Sequence, residues 1–273
     1  MTVSEPDSAD RGLIRPPRNP NRLDVAAVGI VVPVRNEAEL LPACLRSLAV
    51  AVREVPVPVR IVVALDRCTD ASPGVVERSR QAGLPVRAVV SDRPGVGAAR
   101  AAGLRALIED APAGVPSGRL WLASTDADSE VAPYWLTRQL AHAARGAEVV
   151  VGTVRVADWS GQPPGVAERH AGAYRAEHGH RHLHGANLGF TAARYLAVGG
   201  FAELTHDEDV DLVSRLEAAG SAMVWAADLP VTTSARRVGR APAGFAGYLA
   251  GLARLCSVDP PPVEQAEVTD ALG

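Results

Sequence analysis

The chain has 273 residues, enough for one large α/β domain, and its 47% hydrophobic content supports a sizeable core. Its net charge of −3 gives no reason to invoke nucleic acid, and because all 28 positive side chains are arginine, a single arginine is weak evidence of a phosphate site. No run approaches the roughly 20 apolar residues of a membrane span, and no basic segment precedes an apolar one as in a signal peptide. Cys44, Cys68 and Cys256 are too few and too scattered for a disulfide framework or a zinc site, so a cytoplasmic protein without a transmembrane segment is expected.

Met1 to Leu23 is polar and proline-rich and reads as a flexible arm. Strands and helices then alternate. Strands are expected over Val25–Val34, Val59–Leu65, Val86–Ser91, Arg119–Ala123 and Glu148–Val156. Helices are expected between them over Glu37–Val52, Pro73–Ala82, Val96–Ile108 and Tyr134–Gly146. Near-continuous Val/Ile runs joined by helices predict a mostly parallel, Rossmann-like sheet with helices on both faces. The pattern breaks over Trp159–His182, rich in Gly, Pro and His. It resumes with helices over Thr191–Val198 and Glu208–Ala219, a short strand over Met223–Ala226 and an amphipathic segment over Phe245–Leu255. A single domain over 24–256 is expected, followed by a disordered tail over 257–273.

The chemistry is expected at the strand ends, where open α/β sheets bind ligands. Asp126-Ala127-Asp128 follows the fourth strand at once, and two hard oxygen ligands there suit Mg2+ or Mn2+ and hence a diphosphate. The competing reading is a capped helix start. Three further polar loops end the other strands: Pro33-Val34-Arg35-Asn36-Glu37, Asp66 to Asp70, and Asp92 to Arg100 with its glycines. The last is neither GxGxxG nor GxxxxGK[ST], which disfavours a dinucleotide site and excludes a P-loop.

Taken in order and spacing, these segments resemble a family 2-type glycosyltransferase of the GT-A fold. The carriers are VVPVRNEAELLPACLRSL (31–48), ALDRCTDAS (64–72), RPGVGAARAAGL (93–104), the DAD of 126–128, HGANLGFTAARYLAVGGF (184–201) and DEDVDLVSRLEAAG (207–220). The resemblance implies that Pro33, Arg35, Glu37 and Asp66 hold the base and ribose of a nucleotide-diphospho-sugar donor. Gly97 and Arg100 then lie near its diphosphate and sugar. Asp128 binds the metal, Mn2+ or Mg2+, with Asp126 near the ribose or the metal. Gly185, Ala186 and Asn187 line the sugar and acceptor pocket, His184 abuts them, and Glu208-Asp209 supplies the acceptor contact and the catalytic base.

Two departures stand out. The family commonly has two adjacent aspartates after its second strand, and here the first is Leu65. The QxxRW motif and membrane helices of processive synthases are absent, which points to transfer of one sugar; the expected acceptor is a small molecule or a lipid-linked one. Arg236, Arg237 and Arg240 are candidates for neutralising the leaving diphosphate.

Asp209 opens a helix at the crevice and is the expected base, with Glu208 and Asp211 as alternates; acidic residues in a first turn also suit the helix dipole. Direct displacement inverts the anomeric centre. A retaining GT-A transferase and a non-catalytic sugar-nucleotide-binding protein are the alternatives. Five of the seven histidines fall within 170–184; a solvent-facing loop over the acceptor site is expected, with metal binding as the alternative.

Overall fold

A computed structural model describes residues 23–202, 204, 206–239 and 244–258. Arg240, most of the expected arm and all but two residues of the expected tail lie outside these. The strands are β1 (Ala27–Val34), β2 (Val59–Leu65), β3 (Val86–Val90), β4 (Leu120–Ser124), β5 (Ser129–Glu130), β6 (Val149–Val156), β7 (Leu188–Thr191) and β8 (Met223–Thr233). The helices are α1 (Leu41–Arg53), α2 (Ser72–Gln81), α3 (Val96–Glu109), α4 (Trp135–Ala144), α5 (Val166–Ala173), α6 (Ala192–Ala197), α7 (Glu208–Ala218) and α8 (Phe245–Val258).

All eight strands form one sheet, in the order β3-β2-β1-β4-β7-β6-β8-β5. β1 pairs in parallel with both β2 and β4, and β2 with β3. β7 is antiparallel to β4 and to β6, so β6 and its parallel partner β8 run in the same direction as β1. The sheet is therefore mostly parallel, as expected. Alternation along β1 sends Ile30, Val32 and Val34 into a core under α1, α2 and α4. Ala27 and Val31 point the other way, under α3, α6 and α7. On that second face α3 lies almost on the backbone: a Cβ at Gly103 would come within 2.4 Å of Val31 Cγ2.

Two expectations change, and the competing reading of the segment after the DAD is set aside. The segment after the DAD does not cap a helix: Ser129-Glu130 is a short strand against Thr232-Thr233, and α4 begins only at Trp135 with no side-chain cap. The stretch 159–182 carries α5, whose Val166 and His170 are buried and which packs with α8 through Leu249. The last strand continues past Ala226 to Thr233. Its register slips on the way, so that Gly152 faces Ala226 while Val154 faces Val231. The extra residues of β8, Pro230 among them, form a bulge.

Asn187 fills that bulge. Its side-chain amide donates to Thr153 O at 2.8 Å and Leu229 O at 2.5 Å, and its oxygen accepts from Trp135 Nε1 at 2.9 Å. Asn187→Ala leaves three polar groups buried without partners. The expected loss is about 3 kcal/mol of unfolding free energy, measured as a lower urea midpoint. An unchanged midpoint would show that the bulge holds itself.

Candidate active site

The loops after β1 and β2 are laced together before any ligand is considered. Asn36 and Arg67 both sit at positive φ, +54° and +49°, turning the chain sharply at each strand end. Asn36 Oδ1 accepts from the Thr69 N–H at 2.8 Å. Asp70 accepts from the N–H groups of Ala38 and Ser72, and Ser72 Oγ accepts from the Glu37 N–H at 3.0 Å. Glu37 is thereby fixed at the sheet edge. Asp66, at the end of β2, is buried; its Oδ2 accepts from the Gly95 N–H at 3.0 Å and its Oδ1 from Arg67 Nε at 3.0 Å. Gly95 has φ +113°, a conformation open to glycine, and it starts α3.

These loops wall a cleft of about 230 Å³. Of the residues expected on the donor side, Pro33, Arg35, Glu37, Asp66, Asp126 and Asp128 line it. Gly97 and Arg100 stand behind this wall. Arg100 is 3% exposed, and its Nη2 donates to Asp126 Oδ1 at 2.6 Å while its Nη1 is bonded to Glu208 Oε1. Burial alone would lower the guanidinium's pKa, but Asp126, Glu208 and Asp209 together raise it. Burial pushes Glu208 up against the pull of Arg100. Two glycines make room for the pair. A Cβ at Gly185 would lie 2.4 Å from Arg100 Nη2, and one at Gly97 would lie 3.0 Å from the Glu208 side chain.

The four acidic residues at the start of α7 sort themselves by partner. Glu208 is held by Arg100, Asp211 by Arg215 Nε at 3.0 Å, and Asp207 by His206 at the surface. The Asp209 carboxylate is held by backbone: Oδ2 accepts from the Gly185 N–H at 2.6 Å and Oδ1 from the Val210 N–H at 2.9 Å. Gly185 and Ala186 are buried in the turn that carries this contact, and Asn187 is wholly enclosed by the bulge.

Next to them, Tyr174 Oη accepts from the Val154 N–H at 2.9 Å and is hydrogen-bonded to His184 Nε2 at 3.1 Å. Burial lowers the His184 pKa to about 4, with Asp209 pulling the other way. The His184 ring stands edge-on to Phe245 at 6.0 Å, and His170, Tyr174 and His182 stack in a row beside it. Among the described residues no group of three or more His, Cys, Asp or Glu side chains is placed to hold a metal by itself.

Of the three arginines read as candidates for neutralising the leaving diphosphate, Arg240 lies outside the described residues, Arg237 is exposed at the surface, and Arg236 lines the cleft. It bridges Glu37 and Asp128, with Nη1 at 2.7 and 2.8 Å from the two Glu37 oxygens and Nη2 at 2.8 Å from Asp128 Oδ2. Even so, burial, with Asp126 and Glu37 adding to it, raises the Asp128 pKa to about 6. The carboxylates here outnumber the arginines. Asp128 beside Asp126 offers carboxylate oxygens of the kind that suit a hard divalent cation.

In sequence, residues 29–198 match glycosyl transferase family 2, more than half of the chain. The chain belongs to that family. The match ends before α7 and β8, so Asp209 and Arg236 lie outside it. No curated protein matches the chain in sequence. Among solved structures, the TarS 1–349 fragment of S. aureus in complex with UDP-GlcNAc superposes with a TM-score of 0.59 at 17% identity, over 85% of this chain and 66% of that one. The mannosyltransferase PcManGT of Pyrobaculum calidifontis, in complex with GDP-Man and Mn2+, gives 0.55 at 20% identity, over 84% and 69%. GalNAc-T7 with UDP, GalNAc and Mn2+ gives 0.56 at 15% identity, over 77% and 44%.

This family 2 chain thus has the GT-A fold, and in another structure of the TarS 1–349 fragment it spans less than two thirds of that chain, 61%. No helix among the described residues is long and apolar enough to cross a membrane.

Burial also lowers the pKa values of His170 and His180. A histidine with a depressed folded-state pKa binds fewer protons folded than unfolded, so its contribution is complete above pH 6.5 and is lost as the pH falls. For His184 the window runs from 6.5 down to about 4. His184→Gln keeps a hydrogen-bonding partner for Tyr174 but does not titrate. Its melting temperature should fall less than that of the parent between pH 7 and pH 4; parallel curves would show that His184 charges freely in the fold.

Proposed function

We propose that this chain moves one sugar from a nucleotide-diphospho-sugar to an acceptor hydroxyl with inversion, aided by a divalent ion. The observation that carries the reading is the division of labour among carboxylates. Asp126 and Asp128 face the cleft at the end of β4, whereas Asp209 is the acidic residue of α7 that makes no ion pair with an arginine among the described residues. The structural neighbours solved with UDP-GlcNAc, GDP-Man and Mn2+ support a nucleotide-sugar donor and a metal of that kind.

In this reading Asp66, Arg35, Pro33 and Glu37 hold the base and ribose. Asp128, with Asp126 beside it, holds Mn2+ or Mg2+, which when bound stabilises the negative charge of the leaving nucleotide diphosphate. Arg100 fixes Asp126 from behind the wall and keeps the donor side in register with α7. Asp209 takes the acceptor proton as the hydroxyl oxygen attacks the anomeric carbon. Each of its oxygens already accepts one backbone N–H and has a second lone-pair site for that proton. His184 is neutral at pH 7 and stands ready to hydrogen-bond the acceptor. The acceptor is a small molecule or a lipid-linked sugar.

Asp128→Ala should remove the dependence of UDP or GDP binding on Mn2+ while leaving the melting curve cooperative; equal nucleotide affinity with and without EDTA in the parent protein contradicts the metal reading. Asp209→Asn should lose transfer by about 10²- to 10⁴-fold and keep donor affinity within a few fold. The product anomer, assigned from NMR coupling constants, should be opposite to the donor's. Retained configuration rejects direct displacement, and a parent protein that binds donor but glycosylates nothing in a broad acceptor panel is a binding protein.

A further inference from the structure

The segment after β8 brings a fixed positive charge to the carboxylate that the proposed function assigns to the metal. Arg236 is placed by its own turn: its N–H donates to Ser234 Oγ at 3.2 Å, and the Ser234 N–H donates to the Asp128 carbonyl at 3.2 Å. Its side chain is 25% exposed and forms part of the cleft wall, whereas the Glu37 side chain it grips is 6% exposed. The two grips differ. One nitrogen, Nη1, contacts both oxygens of Glu37, and Glu37 is itself anchored through Ser72. The other, Nη2, makes a single contact with Asp128 Oδ2 at 2.8 Å.

A divalent ion on Asp128 Oδ2 and a guanidinium on the same oxygen repel each other and compete for its lone pairs. The single contact yields before the double one. A small rotation about the Glu37 end takes Nη2 off Asp128 and leaves the charge in the cleft. There the planar guanidinium fork suits two oxygens of a diphosphate.

We propose that Arg236 is a tethered cation: it occupies Asp128 until the donor comes, yields that carboxylate to the divalent ion, and turns Nη2 onto the diphosphate. The inference rests on the reading of Asp128 as the metal-holding residue. It makes metal and nucleotide binding cooperative. The ion alone must displace Arg236 without return, whereas the ion with a diphosphate gives the displaced guanidinium a new partner, and linkage makes the gain mutual.

The test is a titration with Mn2+ alone, following free Mn(II) by electron paramagnetic resonance, on the parent protein and on Arg236→Gln, Arg237→Gln and Asp128→Asn. A repeat in the presence of UDP and of GDP gives the coupling. Arg236→Gln should bind Mn2+ alone about tenfold or more tightly than the parent, since one charge-assisted competitor is gone, and its coupling to nucleotide should shrink by a similar factor. Arg237→Gln removes the same charge from an exposed neighbour and should stay within about threefold of the parent. Asp128→Asn should lose Mn2+ in every condition; if it does not, the metal assignment fails. If it does, and Arg236→Gln binds Mn2+ alone no more tightly than the parent, the tethered cation is overturned while the metal assignment stands. Equal tightening by Arg237→Gln also overturns it, because the effect is then one of net charge.

Discussion

Arg100 lies inside the protein, and a guanidinium cannot give up its proton there. Its charge has to be answered on the spot, and the two carboxylates that answer it come from parts of the chain 26 and 108 residues away. Asp126 belongs to the turn after β4 and Glu208 to the first turn of α7, so one buried cation locks the donor wall to the helix that carries Asp209. Gly97 and Gly185 make sense only against this pair. Buried ion pairs contribute little net stability because desolvation offsets most of the attraction. What this one supplies is placement: removing Arg100 strands two carboxylates, and removing either carboxylate leaves one guanidinium nitrogen without its partner.

The cleft in front of that lock carries an excess of negative charge that folding alone does not relieve. At Asp128, burial first and then Asp126 and Glu37 raise the pKa from 3.8 to about 6 in spite of Arg236. Between those values the folded chain binds a proton more readily than the unfolded one, so this residue favours folding in acid and opposes it as the pH rises through the window. The histidines near α5 have the opposite sign. The fold thus tolerates a strained cluster where the chemistry is expected, an arrangement common where stability yields to function.

Much of the architecture is legible in the residues themselves. Parallel strands buried on both faces must be continuous apolar runs, and β2 falls on Val59–Leu65 residue for residue. The antiparallel pieces escape because they are short: β5 has two residues, and β7 four with a glycine among them. Arg100 reads as a phosphate neighbour in sequence, yet it shares the helical stripe of Val96, Gly103, Leu104 and Leu107, and a lone charge on an apolar stripe is the mark of a buried pair. Asn187 gives no such sign, because its partners are two carbonyls brought together by a bulge. Arg236 was visible as one arginine among many. Its role depends on β8 passing beyond Pro230, where strand propensity alone argues for a stop.

That bulge also sets a parity. Side chains along a strand alternate between faces, so the number of residues it absorbs decides which of Thr232 and Thr233 turns toward the cleft. As built, Thr233 lines the cleft and meets Ser129 through paired hydroxyls at 3.0 Å, while Thr232 faces away and accepts from Arg155 Nε. Insertion or loss of a single residue between Ala226 and Val231 would exchange them and carry the following Ser234–Arg236 turn to the wrong side of the sheet. Changes of loop length elsewhere on the surface need only close a gap; here the count itself is under constraint, and only even steps preserve the phase.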